Sequence, residues 1–129
     1  KELTDTQMKE RNRIISETET LVSEMIETDK ELAQTREAID KTKAQARANR
    51  ENAEEITSKL LKAANEVEKE ELKAEYYKLN AEYEALAARI KTLDQDAERL
   101  MTNADKKRKK YEDLKRRYDQ LLSAVKTVK

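Results

Sequence analysis

The sequence predicts an all-α protein, a long antiparallel coiled coil, with a helical hairpin favoured and an antiparallel homodimer of continuous helices as the alternative. Three observations carry this expectation. The 129 residues include no Gly and no Pro, the usual helix breakers, and 43% of them are Asp, Glu, Lys or Arg. Apolar residues recur at alternating steps of three and four from Ile14 onward, the spacing of a coiled-coil seam. The phase of that recurrence slips once, by two residues, near the middle of the chain.

Taken in order, Leu3 and Met8 stand outside the sustained pattern, so the first dozen residues are expected to fray or to belong to a preceding segment. Arm one covers about 14–64. Its seam runs through Ile14, Thr18, Leu21, Met25, Thr28, Leu32, Thr35, Ile39, Thr42, Ala46, Asn49, Ala53, Ile56, Leu60, Ala63 and Val67. Polar or small residues fill many of these layers, so a parallel copy would stack Thr on Thr and Ala on Ala. That forfeits much of the roughly 1.5–3 kcal/mol that burying a large aliphatic contributes. Beside the seam, Ile15, Val22, Ile26 and Ala33 widen the apolar stripe. A stripe wider than two positions per heptad commonly serves more than one neighbour, ordinary flanking packing being the alternative.

Arm two covers about 72–128, with a seam of Leu72, Tyr76, Leu79, Tyr83, Leu86, Ile90, Leu93, Ala97, Leu100, Ala104, Lys107, Tyr111, Leu114, Tyr118, Leu121, Val125 and Val128. Lys107 is its one charged member. At about 100° per residue, a slip of two moves the stripe to nearly the opposite side of a continuous helix, more than a coiled coil absorbs by over- or underwinding. The stretch from Ala64 to Glu71 is therefore either a turn, expected at about 65–71, or a change of partner within a single coiled-coil region spanning 1–129. Asn65 is the residue there best suited to a left-handed helix cap. A further break near Thr92 to Asp96, giving three helices, is disfavoured because the heptads run through it.

Folding the chain about its middle sets Leu32 opposite Ala104, Ile39 opposite Ala97, Ala46 opposite Ile90 and Ala53 opposite Tyr83, with Thr35, Thr42 and Asn49 facing Leu100, Leu93 and Leu86. Large meets small, as a filled core requires. Leu60 and Leu72 close the seam toward the break, and Lys107 meets Thr28. Charge favours the same orientation. Glu17, Glu19, Glu24, Glu27, Asp29 and Glu31 make early arm one acidic, whereas Lys106, Lys107, Arg108, Lys109, Lys110, Lys115, Arg116 and Arg117 make late arm two basic. A parallel pairing would set like charges together.

The 28 acidic and 28 basic side chains cancel, which disfavours a surface built as a whole for nucleic acid or anionic membrane. Without cysteine there is neither a disulfide framework nor thiolate chemistry, and without His and Cys no zinc set beyond carboxylates. No glycine loop is present to cradle phosphate. A narrow solvated coil offers no desolvated pocket, so no enzyme, no cofactor, no metal and no small-molecule substrate are expected. The chain opens on Lys1 without a signal-peptide pattern, which reads as a segment of a longer, cytoplasmic protein.

The expected function is that of a non-catalytic structural module of a cytoskeletal, motor or scaffold protein, mediating self-association and spacing. Each arm would reach roughly 90 Å at about 1.5 Å per residue. Ile15, Val22 and Ile26, near Met101 and Leu122, form the expected face for a homodimer, a four-helix assembly or another protein. The alternative is a binding arm whose basic patch of Lys106, Arg108, Lys109, Lys110, Arg116 and Arg117 contacts an acidic protein filament, an anionic membrane or nucleic acid. Tyr111 and Tyr118 lie on the seam, which argues against their stacking on bases.

Overall fold

A computed structural model describes residues 3–127 as two helices, α1 (Asp5–Leu61) and α2 (Glu66–Thr127), packed against each other as an all-α hairpin. Val128, the last residue of the second seam, lies outside the described residues, as does the side chain of Val125. α2 runs unbroken through Thr92 to Asp96.

The helix starts follow from capping chemistry. Thr4 Oγ1 accepts from the Gln7 N–H at 3.1 Å while Gln7 Oε1 accepts from the Thr4 N–H at 2.9 Å, a reciprocal capping box that satisfies two otherwise orphaned donors. Helix therefore begins at Asp5, ahead of the expected start at Ile14. Gln7 and Arg11 are half-buried and continue the four-and-three spacing backward from Ile14, so the seam extends through polar residues that an apolar pattern does not register.

The connection occupies residues 62–65, a correction to the turn expected at 65–71. α1 closes with two tightened bonds, Lys62 N–H to the Lys59 carbonyl at 3.0 Å and Ala63 N–H to the Leu60 carbonyl at 3.3 Å. Asn65 then begins α2: its Oδ1 accepts from the Glu68 N–H at 2.9 Å, and Glu68 Oε2 accepts from the Ala64 N–H at 3.2 Å. No described residue has a positive φ, so Asn65 caps the following helix and is not a left-handed terminator of the preceding one. Val67 consequently sits in the first turn of α2, 70% exposed, and does not belong to the first seam.

The chain divides into two compact units. The first combines α1 up to Ala33 with α2 from Glu98. Its core is Ile14, Leu21 and Leu114, with Met25, Tyr111 and Tyr118 packed against them, and Leu114 is only 1% exposed. Leu100 and Ala104 are also buried there, and Thr28 is buried with its hydroxyl donating to the Glu24 carbonyl at 2.9 Å. The second unit, Gln34–Ala97, buries Ile39, Thr42, Ala46, Ile56 and Ala97, while Ala53, Leu60, Leu72, Tyr83, Leu86, Ile90 and Leu93 are half-buried. Thr42 donates to the Ala38 carbonyl at 2.7 Å. These local bonds explain how threonine serves in a core: the hydroxyl is satisfied on its own helix, and the methyl is left to pack.

The pairing register differs from the fold-back alignment. Asn49 Nδ2 donates to the Leu79 carbonyl at 3.5 Å and to Glu82 Oε2 at 3.2 Å, so Asn49 lies nearer the turn on α2 than Leu86, its expected opposite. Leu114 clusters with Ile14 as well as with Leu21. The cause is the turn: with the connection at 62–65, Asn49 and Glu10 meet α2 residues earlier in sequence than a fold centred on 65–71 sets there. The expected meeting of Lys107 with Thr28 is present, Nζ donating to Oγ1 at 2.7 Å.

Candidate interaction surface

The two long edges of the terminal unit, either side of its seam, are chemically different. Along one edge α1 presents Glu10, Glu17 and Glu24, seven residues apart, and α2 presents Lys110 and Arg117, also seven apart. Arg117 donates to Glu10 Oε1 at 3.1 Å. Glu17, Glu24 and Lys110 line one shallow groove of about 200 Å³ together with Leu21, acid facing base without a direct bond. The expected acidic and basic blocks thus meet along this edge, although Glu10, which pairs with Arg117 across the helices, precedes the acidic block named from the sequence.

The opposite edge is apolar and open. Ile15 and Val22 stand one residue past the buried Ile14 and Leu21, and Ile26 follows Val22 by one helical turn, so the three form a stripe beside the seam. Ile26 is 64% exposed, and Ile15 and Val22 are exposed despite being β-branched aliphatics. A groove of about 260 Å³ is bounded by Ile14, Ile15, Thr18 and Glu19 on α1 and by Tyr111, Leu114, Lys115 and Tyr118 on α2. Met101 is exposed and Leu122 half-buried, and neither lines that groove. The position expected beside Ile15 is held by Lys115. Met8, seven residues before Ile15 and also exposed, extends the stripe; its spacing was the signal for it.

The basic residues of late α2 are divided in their use. Arg108 pairs with Asp105 at 3.0 Å, Arg116 with Asp113 at 3.8 Å and Arg117 with Glu10. Lys106, Lys109 and Lys110 are exposed and form no ion pair among the described residues. Tyr111 and Tyr118 are half-buried against the Ile14, Leu21 and Leu114 cluster, which removes most of their faces from solvent.

In the turn unit, the small Ala53 leaves a groove of about 350 Å³ lined by Asn49, Tyr76, Leu79 and Tyr83. Tyr76 is more exposed than a seam residue should be, its ring meeting that of Tyr77 edge-on with centroids 6.0 Å apart. Leu61, Val67 and Tyr77 are exposed near the turn. Among the described residues, no cluster of His, Cys, Asp and Glu could hold a metal ion, and no helix is long and apolar enough to cross a membrane. Set against protein-family models, curated proteins and solved structures, the chain matches none of them.

Proposed function

We propose that the chain is a non-catalytic structural module, a coiled-coil hairpin of a larger scaffold, motor or cytoskeletal protein, which sets spacing and joins protein partners, including copies of itself, through the apolar edge of its terminal unit. The observation that carries this reading is the contrast between the two edges there. One is covered by facing acids and bases, whereas the other leaves Ile15, Val22 and Ile26 in solvent beside a hydrophobic core that is already closed. Contiguous apolar surface rimmed by charge is the usual composition of a protein contact. Cytoplasmic placement belongs to the same proposal.

Sedimentation equilibrium tests it. The wild-type chain should associate as concentration rises, and Ile15→Ser combined with Val22→Ser should shift the mass toward one chain. An unchanged mass in the double variant would put the contact elsewhere.

A second reading, binding to an acidic filament or another anionic polymer, is supported by the exposure of Lys106, Lys109 and Lys110 without ion-pair partners. It requires association that weakens steeply with salt and is lost when those three lysines become glutamate.

A further inference from the structure

The residues that join the two helices do not by themselves require a reversal. Lys62, Ala63 and Ala64 are good helix formers, the chain has neither Gly nor Pro, and no described residue has a positive φ. Joined straight, α1 and α2 would form one continuous helix, and two such chains laid antiparallel could exchange arms, α1 of each on α2 of the other. The seam contacts of the hairpin would be kept in that exchange, the Asn49 to Glu82 and Lys107 to Thr28 bonds included. Domain swapping comes at low cost under this condition. The pairing must therefore be held within one chain by something other than the composition of the connection.

Burial on either side of the turn shows what that is. The four-and-three steps of α1, continued past Leu60 and Ala63, reach Val67, Glu70, Ala74, Tyr77, Ala81 and Glu84, and all six are exposed. α2 instead turns Leu72, Leu79, Tyr83 and Leu86 inward, each two residues later than Glu70, Tyr77, Ala81 and Glu84. At about 100° per residue, this offset sets the two stripes on nearly opposite sides of a straight helix. A hairpin is indifferent to it, because a chain that reverses can present either side of the second helix to the first. In an exchanged pair both arms of a chain face the same neighbour, so both stripes must lie on one side. Over- or underwinding absorbs displacements of three or four residues, and two is neither.

We propose that this two-residue offset is a device that confines the pairing of arms to a single chain. Each chain then carries its own complete pair of arms at every concentration, and what it joins, it joins through its outer surface. The Asn65 and Glu68 cap stabilises the start of α2, but the offset would exclude exchange without it.

Insertions separate phase from the chemistry and length of the turn. Five helix-forming residues placed between Ala63 and Ala64 bring the offset to seven, a full heptad, whereas three bring it to five, still out of phase. Each variant carries spin labels at Glu17→Cys and Lys110→Cys, and is unfolded and refolded at high concentration with an excess of the same chain unlabelled. In the wild-type chain and the three-residue variant, the short distance between labels should persist. In the five-residue variant it should be lost in proportion to the dilution, because the labelled arms then lie on unlabelled partners. Asn65→Ala with Glu68→Ala, which removes the cap and leaves the offset, should lower the melting temperature and keep the short distance. Association through the apolar edge exchanges no arms, so this readout is independent of the proposed contact there. A short distance that persists in the five-residue variant would overturn the proposal, as would its loss in the wild-type chain, the three-residue variant or the cap variant.

Discussion

Lys107 Nζ donates to Thr28 Oγ1 at 2.7 Å, joining the one charged residue of the α2 seam to a buried threonine on α1. The Thr28 hydroxyl has a single proton, and the Glu24 carbonyl takes it at 2.9 Å, so the oxygen's lone pairs are left for the ammonium. One layer of the terminal unit is therefore polar and matched on both sides. Such a layer fixes register at some cost in stability. Thr28→Val should destabilise the hairpin by about 1–3 kcal/mol, because a half-buried ammonium loses its acceptor. Adding Lys107→Leu should restore most of that loss. Urea unfolding of the two single variants and the double variant checks this, and additive effects would mean that the pair is not coupled.

Leu114 separates fold from association. It is the most enclosed side chain described, so Leu114→Ala should cost about 2–5 kcal/mol by the cavity it leaves. Ile26→Ala, at a position mostly in solvent, should change unfolding by well under 1 kcal/mol while weakening self-association. Chemical denaturation at low concentration, paired with sedimentation, resolves the two effects. Equal losses of stability would show that Ile26 is part of the hairpin core.

The turn carries a prediction about Asn65. As an N-cap, it should lose about 0.5–2 kcal/mol on replacement by Ala but only a few tenths on replacement by Gly, and Asn65→Asp should be tolerated because its charge suits the helix N-terminus. A left-handed terminator would behave otherwise, with Gly stabilising and Asp costly. Thermal melts of the three variants distinguish the two roles.

Arg117 and Glu10 should matter less than their distance of 3.1 Å implies. Both side chains are more than a third exposed, and such pairs contribute about 0–1 kcal/mol. A double-mutant cycle with Arg117→Ala and Glu10→Ala should give a coupling in that range, shrinking at high salt. A coupling of several kcal/mol would require this edge to be desolvated.

Much of the burial pattern was legible in the sequence, because the heptad phase states which face of each helix turns inward. Among the seam residues with described side chains, Val67 and Tyr76 are the ones left exposed. Register was less legible. Phase is a local property, whereas register depends on where the chain reverses, and matching large to small residues tolerates a shift of half a heptad because both seams mix sizes throughout. The reversal did leave a signature, Asn65 followed three residues later by Glu68, and the start of α1 left the same kind of mark in Thr4 and Gln7. Capping boxes mark helix starts more sharply than the end of an apolar pattern does. The exposed stripe was visible as Ile15, Val22 and Ile26, but its neighbour across the groove, Lys115, followed from register and so was missed.

The most direct test of the hairpin is a pulsed electron-spin distance measured between labels at Glu17→Cys and Lys110→Cys in one chain, diluted into an excess of unlabelled chain. These positions line one groove, and paired helices lie about 8–10 Å apart, so a distance on the order of 20 Å or less between labels is expected. If α1 and α2 of the same chain pair, that short distance persists undiminished at every dilution. If the pairing were between two continuous helices, the short distance would fade as unlabelled chain replaced the labelled partner, and the hairpin would be contradicted.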